Sequence, residues 1–190
     1  MKIMEVISSL GPTGGGETFA VNLSRELSSL AEVEVVILYK NNKSFFIDRL
    51  KHKGIHPIIL DKKRHFDLKN AKQLRKAILS FKPDVIHTEN NALIPTFLAL
   101  RKTSLKNNMK VFHTMHLLPE KECRNFFVRI LYKHIFKKKN YIPIAITKQL
   151  STISSRFYKK TYVPVVYNGV ELENFTDKIP LLQRKYDIAV

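Results

Sequence analysis

Two histidine-bearing stretches and one glycine-rich loop carry the residue types from which a reactive cleft can be built. The loop is Gly11-Pro12-Thr13-Gly14-Gly15-Gly16-Glu17-Thr18, set between an apolar run and a helical pattern. Glycines let a backbone approach an anion, and a helix N-terminus offers unpaired N–H groups and partial positive charge. The loop fits neither standard nucleotide fingerprint. A dinucleotide loop needs G-x-G-x-x-G, and counted from Gly14 and Gly16 the third place is Phe19. A P-loop needs lysine where Glu17 stands, and a carboxylate there repels phosphate, which excludes an NTPase. The alternative is a plain turn from strand to helix.

The next stretch is Pro83-Asp84-Val85-Ile86-His87-Thr88-Glu89-Asn90-Asn91. Its polar residues follow directly on a buried strand and are expected at the sheet's carboxyl edge, near the glycine loop. A lone histidine such as His87 is more often a hydrogen-bonded edge residue than a catalyst. The third stretch is Val111-Phe112-His113-Thr114-Met115-His116. Its two histidines are three apart, so on a strand they point opposite ways. With no cysteine or carboxylate at zinc-ligand spacing nearby, no metal site is expected and at most one of the two is functional. An imidazole in a cleft suits sugar hydroxyls and phosphates. Asn168–Gly169 marks a turn after the last strand.

The elements that must position these groups alternate along the chain. Strands are predicted at 2–8, 33–39, 55–60, 84–87, 110–114, 141–146 and 163–166. Helices are predicted at 17–30, 44–53, 67–81, 92–102, 121–138 and 148–157. The strands are short and apolar without strict alternation, as in parallel sheets covered on both sides. The fold class is therefore α/β: a doubly wound, mainly parallel Rossmann-like sheet with helices on both faces. Residues 1–170 form this domain. Residues 171–185 are polar, contain Pro180 and read as a linker. Residues 186–190 turn apolar and read as the first strand of a further domain, so a longer protein is expected.

In order and spacing, these pieces resemble the retaining glycosyltransferases of family 4, which have the GT-B fold. The resemblance rests on Gly14-Gly15-Gly16-Glu17 before an amphipathic helix, Pro83 to His87, Thr114-Met115-His116, and Asn168-Gly169-Val170 with Glu171 and Phe175. It spans nearly the whole chain; each motif alone is weak, and their order makes them specific. It implies the N-terminal, acceptor-side half of a GT-B enzyme. The Gly14, Gly15, Gly16 and Glu17 loop would lie near donor diphosphate and acceptor, and His116 would be the catalytic-cleft residue bonded to the transferred sugar. His87, Glu89 and Asn90 would line the acceptor cleft, and Asn168 and Gly169 the inter-domain cleft. The co-substrate would be a UDP- or GDP-linked sugar with no further cofactor and no metal. The acceptor would be a saccharide or a lipid-linked molecule, as in cell-surface polysaccharide synthesis. Transfer would retain configuration and need the absent donor-binding half, so this stretch alone would be inactive. In one respect the chain departs from the pattern: many relatives carry a second histidine where Glu89 stands.

Composition sets the remaining bounds. A hydrophobic fraction of 44% and a charged fraction of 26% fit a globular domain. The single cysteine, Cys123, forbids an internal disulfide and fits a reducing cytoplasm; it reads as a half-buried helix residue. No signal peptide opens the chain and no apolar run approaches the ~20 residues of a membrane span. A net charge of +17 draws the surface to polyanions without naming one. A nucleic-acid module is one alternative, but no helix-turn-helix, zinc, RRM or KH pattern appears, so no nucleic acid is expected. A scaffold subunit paired with a separate donor-binding chain is another. The basic helix at 121–138 either rests an apolar stripe (Phe126, Phe127, Ile130, Leu131, Ile135, Phe136) on an anionic membrane or, the favoured reading, turns it to the sheet. The location expected is cytoplasmic, with peripheral contact at the inner face of the cell membrane as the alternative that the first reading of this helix would bring.

Overall fold

The short apolar runs become the strands of one sheet. A computed structural model describes residues 1–11, 14–39, 45–60, 67–101, 109–123 and 125–169. Among these, β1 (Lys2–Ile7), β2 (Glu32–Ile37), β3 (Ile58–Ile59), β4 (Val85–Glu89), β5 (Lys110–Met115) and β6 (Tyr141–Ala145) pair in the order β3-β2-β1-β4-β5-β6, every pair parallel. The helices are α1 (Gly15–Leu27), α2 (Phe45–Lys51), α3 (Leu68–Phe81), α4 (Leu93–Leu100), α5 (Pro119–Glu122), α6 (Phe126–Phe136) and α7 (Lys148–Tyr158). This is the doubly wound α/β arrangement read from the sequence.

Strand pleating distributes the core. Met4 and Val6 of β1 and Val36 of β2 join Leu74 and Ile78 of α3 and Leu93 of α4. Their chain neighbours Ile7, Val35 and Ile37 join Ala20 and Val21 of α1 and Phe46 and Leu50 of α2. Successive strand residues point to opposite faces, so helices cover both. The winding reverses between β1 and β4, which are adjacent although two strands intervene in sequence. Ligands of such sheets bind beyond the carboxyl ends of the strands at that reversal.

Several expected elements differ in extent. The third strand shrinks from 55–60 to Ile58–Ile59, because Ile55 is buried among the α2 side chains and starts no pairing. The seventh strand is a single bridge, Ala145 to Val165, flanked by Ala145 N to Pro164 O at 2.8 Å and Val166 N to Ala145 O at 2.9 Å. The expected continuous helix at 121–138 is two helices. Cys123 leaves helical geometry at φ −103°, ψ 60°, and Asn125 starts α6 by accepting the Phe127 amide at 2.8 Å. Cys123 lies wholly buried at this break, with Sγ 3.7 Å from the Tyr158 hydroxyl, rather than half-buried in a helix. Burial pushes its thiol up to about 11, a poor value for a nucleophile. The linker expected at 171–185 and the strand at 186–190 lie outside the described residues. No helix among the described residues is long and apolar enough to cross a membrane.

Candidate functional site

The carboxyl ends of β1, β4 and β5 place three of the expected residues around one cleft of about 680 Å³. Glu17 enters from α1, Asn90 from the 3-10 turn after β4, and His116 from the residue after β5. Ser8, Lys121 and Asn125 also line it. α1 starts at Gly15 with Gly14 as an N-cap that offers no side-chain hydrogen bond, so its first-turn amides lack an intrahelical acceptor.

Gly16 is the glycine that faces Asn90 and His116. A Cβ there would stand 3.2 Å from both polar atoms of the Asn90 carboxamide and 3.6 Å from His116 Cδ2. A Cβ at Gly14 would overlap the Glu17 carboxylate, whereas one at Gly15 meets no protein atom within 4 Å. Asn90 itself holds φ at 51°, a left-handed conformation that asparagine tolerates better than other side chains do. The Phe19 ring stands edge-on to His116, with centroids 5.5 Å apart.

Beneath the cleft is a set of groups that sequence reasoning only partly found. Parallel register sets Glu5 beside His87, and Glu89 beside Thr114. The two-residue period then puts Glu5, His87, Glu89, Thr114 and, just past β5, His116 on one side of the sheet. His87 Nδ1 meets Glu5 Oε2 at 2.7 Å and its Nε2 meets the Thr114 hydroxyl at 2.7 Å. His87 Nδ1 lies 3.9 Å from Glu89 Oε1, and His116 Nε2 lies 3.3 Å from Glu89 Oε2. Burial alone would lower the His87 pKa, but the Glu5 charge and hydrogen bond, with the Glu89 charge, carry it from 6.5 up to about 9. Burial raises the Glu89 pKa, opposed by its bond to His116 and the His87 charge. His113 faces the other way. Its Nδ1 meets the Thr88 hydroxyl at 2.9 Å and its Nε2 meets Glu122 Oε1 at 2.7 Å, which ties α5 to β5.

The ligand atoms of Glu5, His87 and Glu89 lie within 4.8 Å of one another, near enough to consider a metal. Both ring nitrogens of His87 are already hydrogen-bonded, so a metal ion there would have to displace the Glu5 or the Thr114 contact.

His87 and Glu89, expected along the acceptor cleft, are buried under it, and only their neighbour Asn90 reaches its surface. Asn168 and Gly169 are exposed after the Val165 bridge and do not line it. The sequence reading missed Glu5 and Thr114 as partners. A glutamate inside the apolar run Ile3-Met4-Glu5-Val6-Ile7 was the available signal, because a buried carboxylate demands a partner.

The family model described as Glycosyltransferase Family 4 matches residues 13–174. Among solved structures, a glycosyltransferase from Rickettsia africae ESF-5 superposes with a TM-score of 0.69 at 19% identity, covering 92% of this chain and 45% of that one. The lipopolysaccharide outer core galactosyltransferase WaaB gives 0.65 at 15% identity, covering 90% and 47%. Anabaena Alr3699/HepE, solved in complex with UDP and glucose, gives 0.65 at 13% identity, covering 90% and 45%. At these identities the likeness establishes the fold. The chain spans less than half the length of each of these structures. No curated protein matches it.

Proposed function

The chain belongs to glycosyltransferase family 4, and from that premise we propose that it forms the acceptor-side wall of a cleft in which a sugar passes from a nucleotide-sugar donor to a saccharide or lipid-linked acceptor. The observation that carries this reading is the convergence of Gly16, Asn90 and His116 at the point where the sheet's winding reverses. The first turn of α1 has no N-cap side chain and so offers its amides to an anion, and a diphosphate reaching them displaces the Glu17 carboxylate that lies against Gly14. Asn90 and His116 supply the donors and acceptors that sugar hydroxyls need. A second, nucleotide-sugar-binding domain completes the cleft, in keeping with the share of the solved relatives that this chain spans. On this reading, transfer retains anomeric configuration and uses a UDP- or GDP-linked sugar without a further cofactor.

The test is sugar transfer by the full-length protein against a panel of nucleotide sugars, wild type beside His116→Ala. One donor should support turnover, and the variant should lose at least about a hundredfold in kcat/KM, typical of a lost transition-state contact, with circular dichroism unchanged. Undiminished turnover in the variant would remove His116 from the reaction. Absence of transfer from every donor would remove the function.

A specific observation favours a lipid-linked acceptor and peripheral contact with an anionic membrane. Tyr132, Ile135 and Phe136 of α6 turn inward, whereas Phe126 (67%), Phe127 (76%) and Ile130 (50%) are exposed. The expectation that the whole stripe faces the sheet therefore fails for its N-terminal half. Leu117 and Leu118 are exposed as well, and Leu117 also lines the cleft. The exposed Phe126–Phe127 pair, with ring centroids 6.0 Å apart, suits the boundary between headgroups and acyl chains.

A further inference from the structure

The cleft histidine is supported from below by ionisable groups to which the reading above gives no task. Glu5 of β1, His87 and Glu89 of β4 and His116 beyond β5 touch in series, at 2.7, 3.9 and 3.3 Å. Glu89 is fully buried, and its Oε1, the oxygen nearer His87, has no hydrogen-bond partner among the described residues. The Glu89 carboxylate is stabilised first by its hydrogen bond from His116 and then by the His87 charge.

We propose that Glu89 is the positioning residue of His116: as a carboxylate it accepts the Nε2–H of His116 and so leaves the Nδ1 lone pair as the acceptor this ring offers a ligand. The proposal rests on the reading of His116 as a ligand-facing residue.

An ionised carboxylate only accepts, so the ring nitrogen facing it must carry the proton. A neutral imidazole has a single N–H, so the other nitrogen is then an acceptor. His116 Nδ1 makes no hydrogen bond to a described residue, and His116 lines the cleft. A sugar hydroxyl meeting this nitrogen would therefore be bound as a donor. A neutral, protonated Glu89 would reverse everything: it would donate to Nε2, and Nδ1 would become a donor.

His87 decides between these states. Glu5 holds it cationic through neutral pH against the effect of burial. The positive charge 3.9 Å from Glu89 Oε1 opposes the desolvation that favours the neutral acid. Burial and the Glu5 charge leave the Glu89 pKa raised, and the His116 bond and the His87 charge hold that rise back; the chain of effect runs from Glu5, which charges His87, to His87, which favours the Glu89 carboxylate, to that carboxylate, which fixes the His116 tautomer. Phe19, edge-on at 5.5 Å, and the missing side chain of Gly16 keep the ring in place.

The experiment reads the tautomer directly. The uniformly ¹⁵N-labelled 190-residue chain is placed at about pH 8, between the neutral-histidine range and the His87 value of about 9. Two-bond ¹H–¹⁵N correlations then report which nitrogen of each ring is protonated, and the His116→Ala spectrum assigns the His116 signals. Wild type should show His116 as the Nε2–H form. In Glu89→Gln the carboxamide oxygen turns to the His87 cation and its NH₂ to His116 Nε2, so the signal should invert to Nδ1–H. A wild-type Nδ1–H form, or an unchanged tautomer in a folded Glu89→Gln protein, would overturn the proposal. If Glu89→Gln does not fold, the wild-type tautomer alone decides. The functional reading fails separately, through undiminished transfer by full-length His116→Ala, and that result would leave the tautomer assignment standing.

Discussion

Gly15 and Gly16 adjoin on the first turn of α1, yet they face different surroundings. Only at Gly16 would a Cβ press on Asn90 and approach His116. Gly15→Ala should therefore keep transfer activity in the full-length protein, while its lower chain entropy when unfolded raises unfolding stability by up to about 1 kcal/mol. Gly16→Ala should keep the fold but displace the Asn90 carboxamide, lowering kcat/KM by about tenfold or more; equal kinetics in the two variants would show that the tight contact is irrelevant. His87 yields a second prediction. Its folded pKa of about 9 exceeds the ordinary 6.5, so its stabilising contribution is complete below 6.5 and disappears as pH rises through 9. Urea unfolding should show stability falling over that interval by roughly 3 kcal/mol at most, and His87→Gln should flatten the profile. These residues were unequally legible. His116 and Asn90 stand after strands and could be picked out by type and place. The partnership of Glu5 with His87 depends on a register between strands 82 residues apart in the chain, which no local pattern encodes.

At the level of elements, end chemistry explains why the helices begin and stop where they do. Asp67 caps α3 by accepting the Asn70 amide at 3.0 Å, and Thr147 caps α7 by accepting the Leu150 amide at 3.1 Å. Both are ordinary capping residues in the expected place, which is why these two helices were legible almost to the residue. The α5–α6 break was not, although Pro119 and Asn125 are start signals: the basic and apolar residues of 121–138 continue a helical period straight across it. What imposes the break is tertiary, since Glu122 is drawn under β5 by His113 and Cys123 is packed against Tyr158. Arg75 shows the same kind of long-range control. Its guanidinium reaches from α3 to the carbonyls of Ala99 at 2.8 Å and Arg101 at 2.7 Å, satisfying the C-terminal end of α4. Arg75→Ala should cost about 1–2 kcal/mol in urea unfolding, against about 1 kcal/mol for Asp67→Ala, with the two adding because the Asn70 amide and the α4 carbonyls are separate groups. Hydrogen exchange should speed up in α4 for the first variant and at the start of α3 for the second; a loss confined to α3 in both would show that Arg75 does not hold α4.

For the whole molecule, charge and exposed apolar surface make a joint prediction. The net charge of +17 attracts an anionic bilayer over a distance set by salt, while Phe126 and Phe127 can enter it only on contact. The two contributions separate experimentally. Sedimentation with vesicles of phosphatidylglycerol and phosphatidylcholine should bind the chain, vesicles of phosphatidylcholine alone should bind it weakly, and raising salt from about 0.1 to 0.5 M should weaken the first because the Debye length shrinks below 10 Å. Phe126→Ser with Phe127→Ser should lower partitioning onto the anionic vesicles at least about tenfold, since each buried phenylalanine is worth about 1.5–3 kcal/mol. The salt dependence should survive this change, because no charge has been removed. A mere polyanion-binding surface would behave differently: it would lose affinity with salt but ignore the two phenylalanines, and duplex DNA would compete for it. Because Asn125 and Val128, which flank Phe126 and Phe127 in the chain, line the cleft with His116, a chain seated by the two phenylalanines would hold the His116 side close to the bilayer surface, where a lipid-linked acceptor would be met.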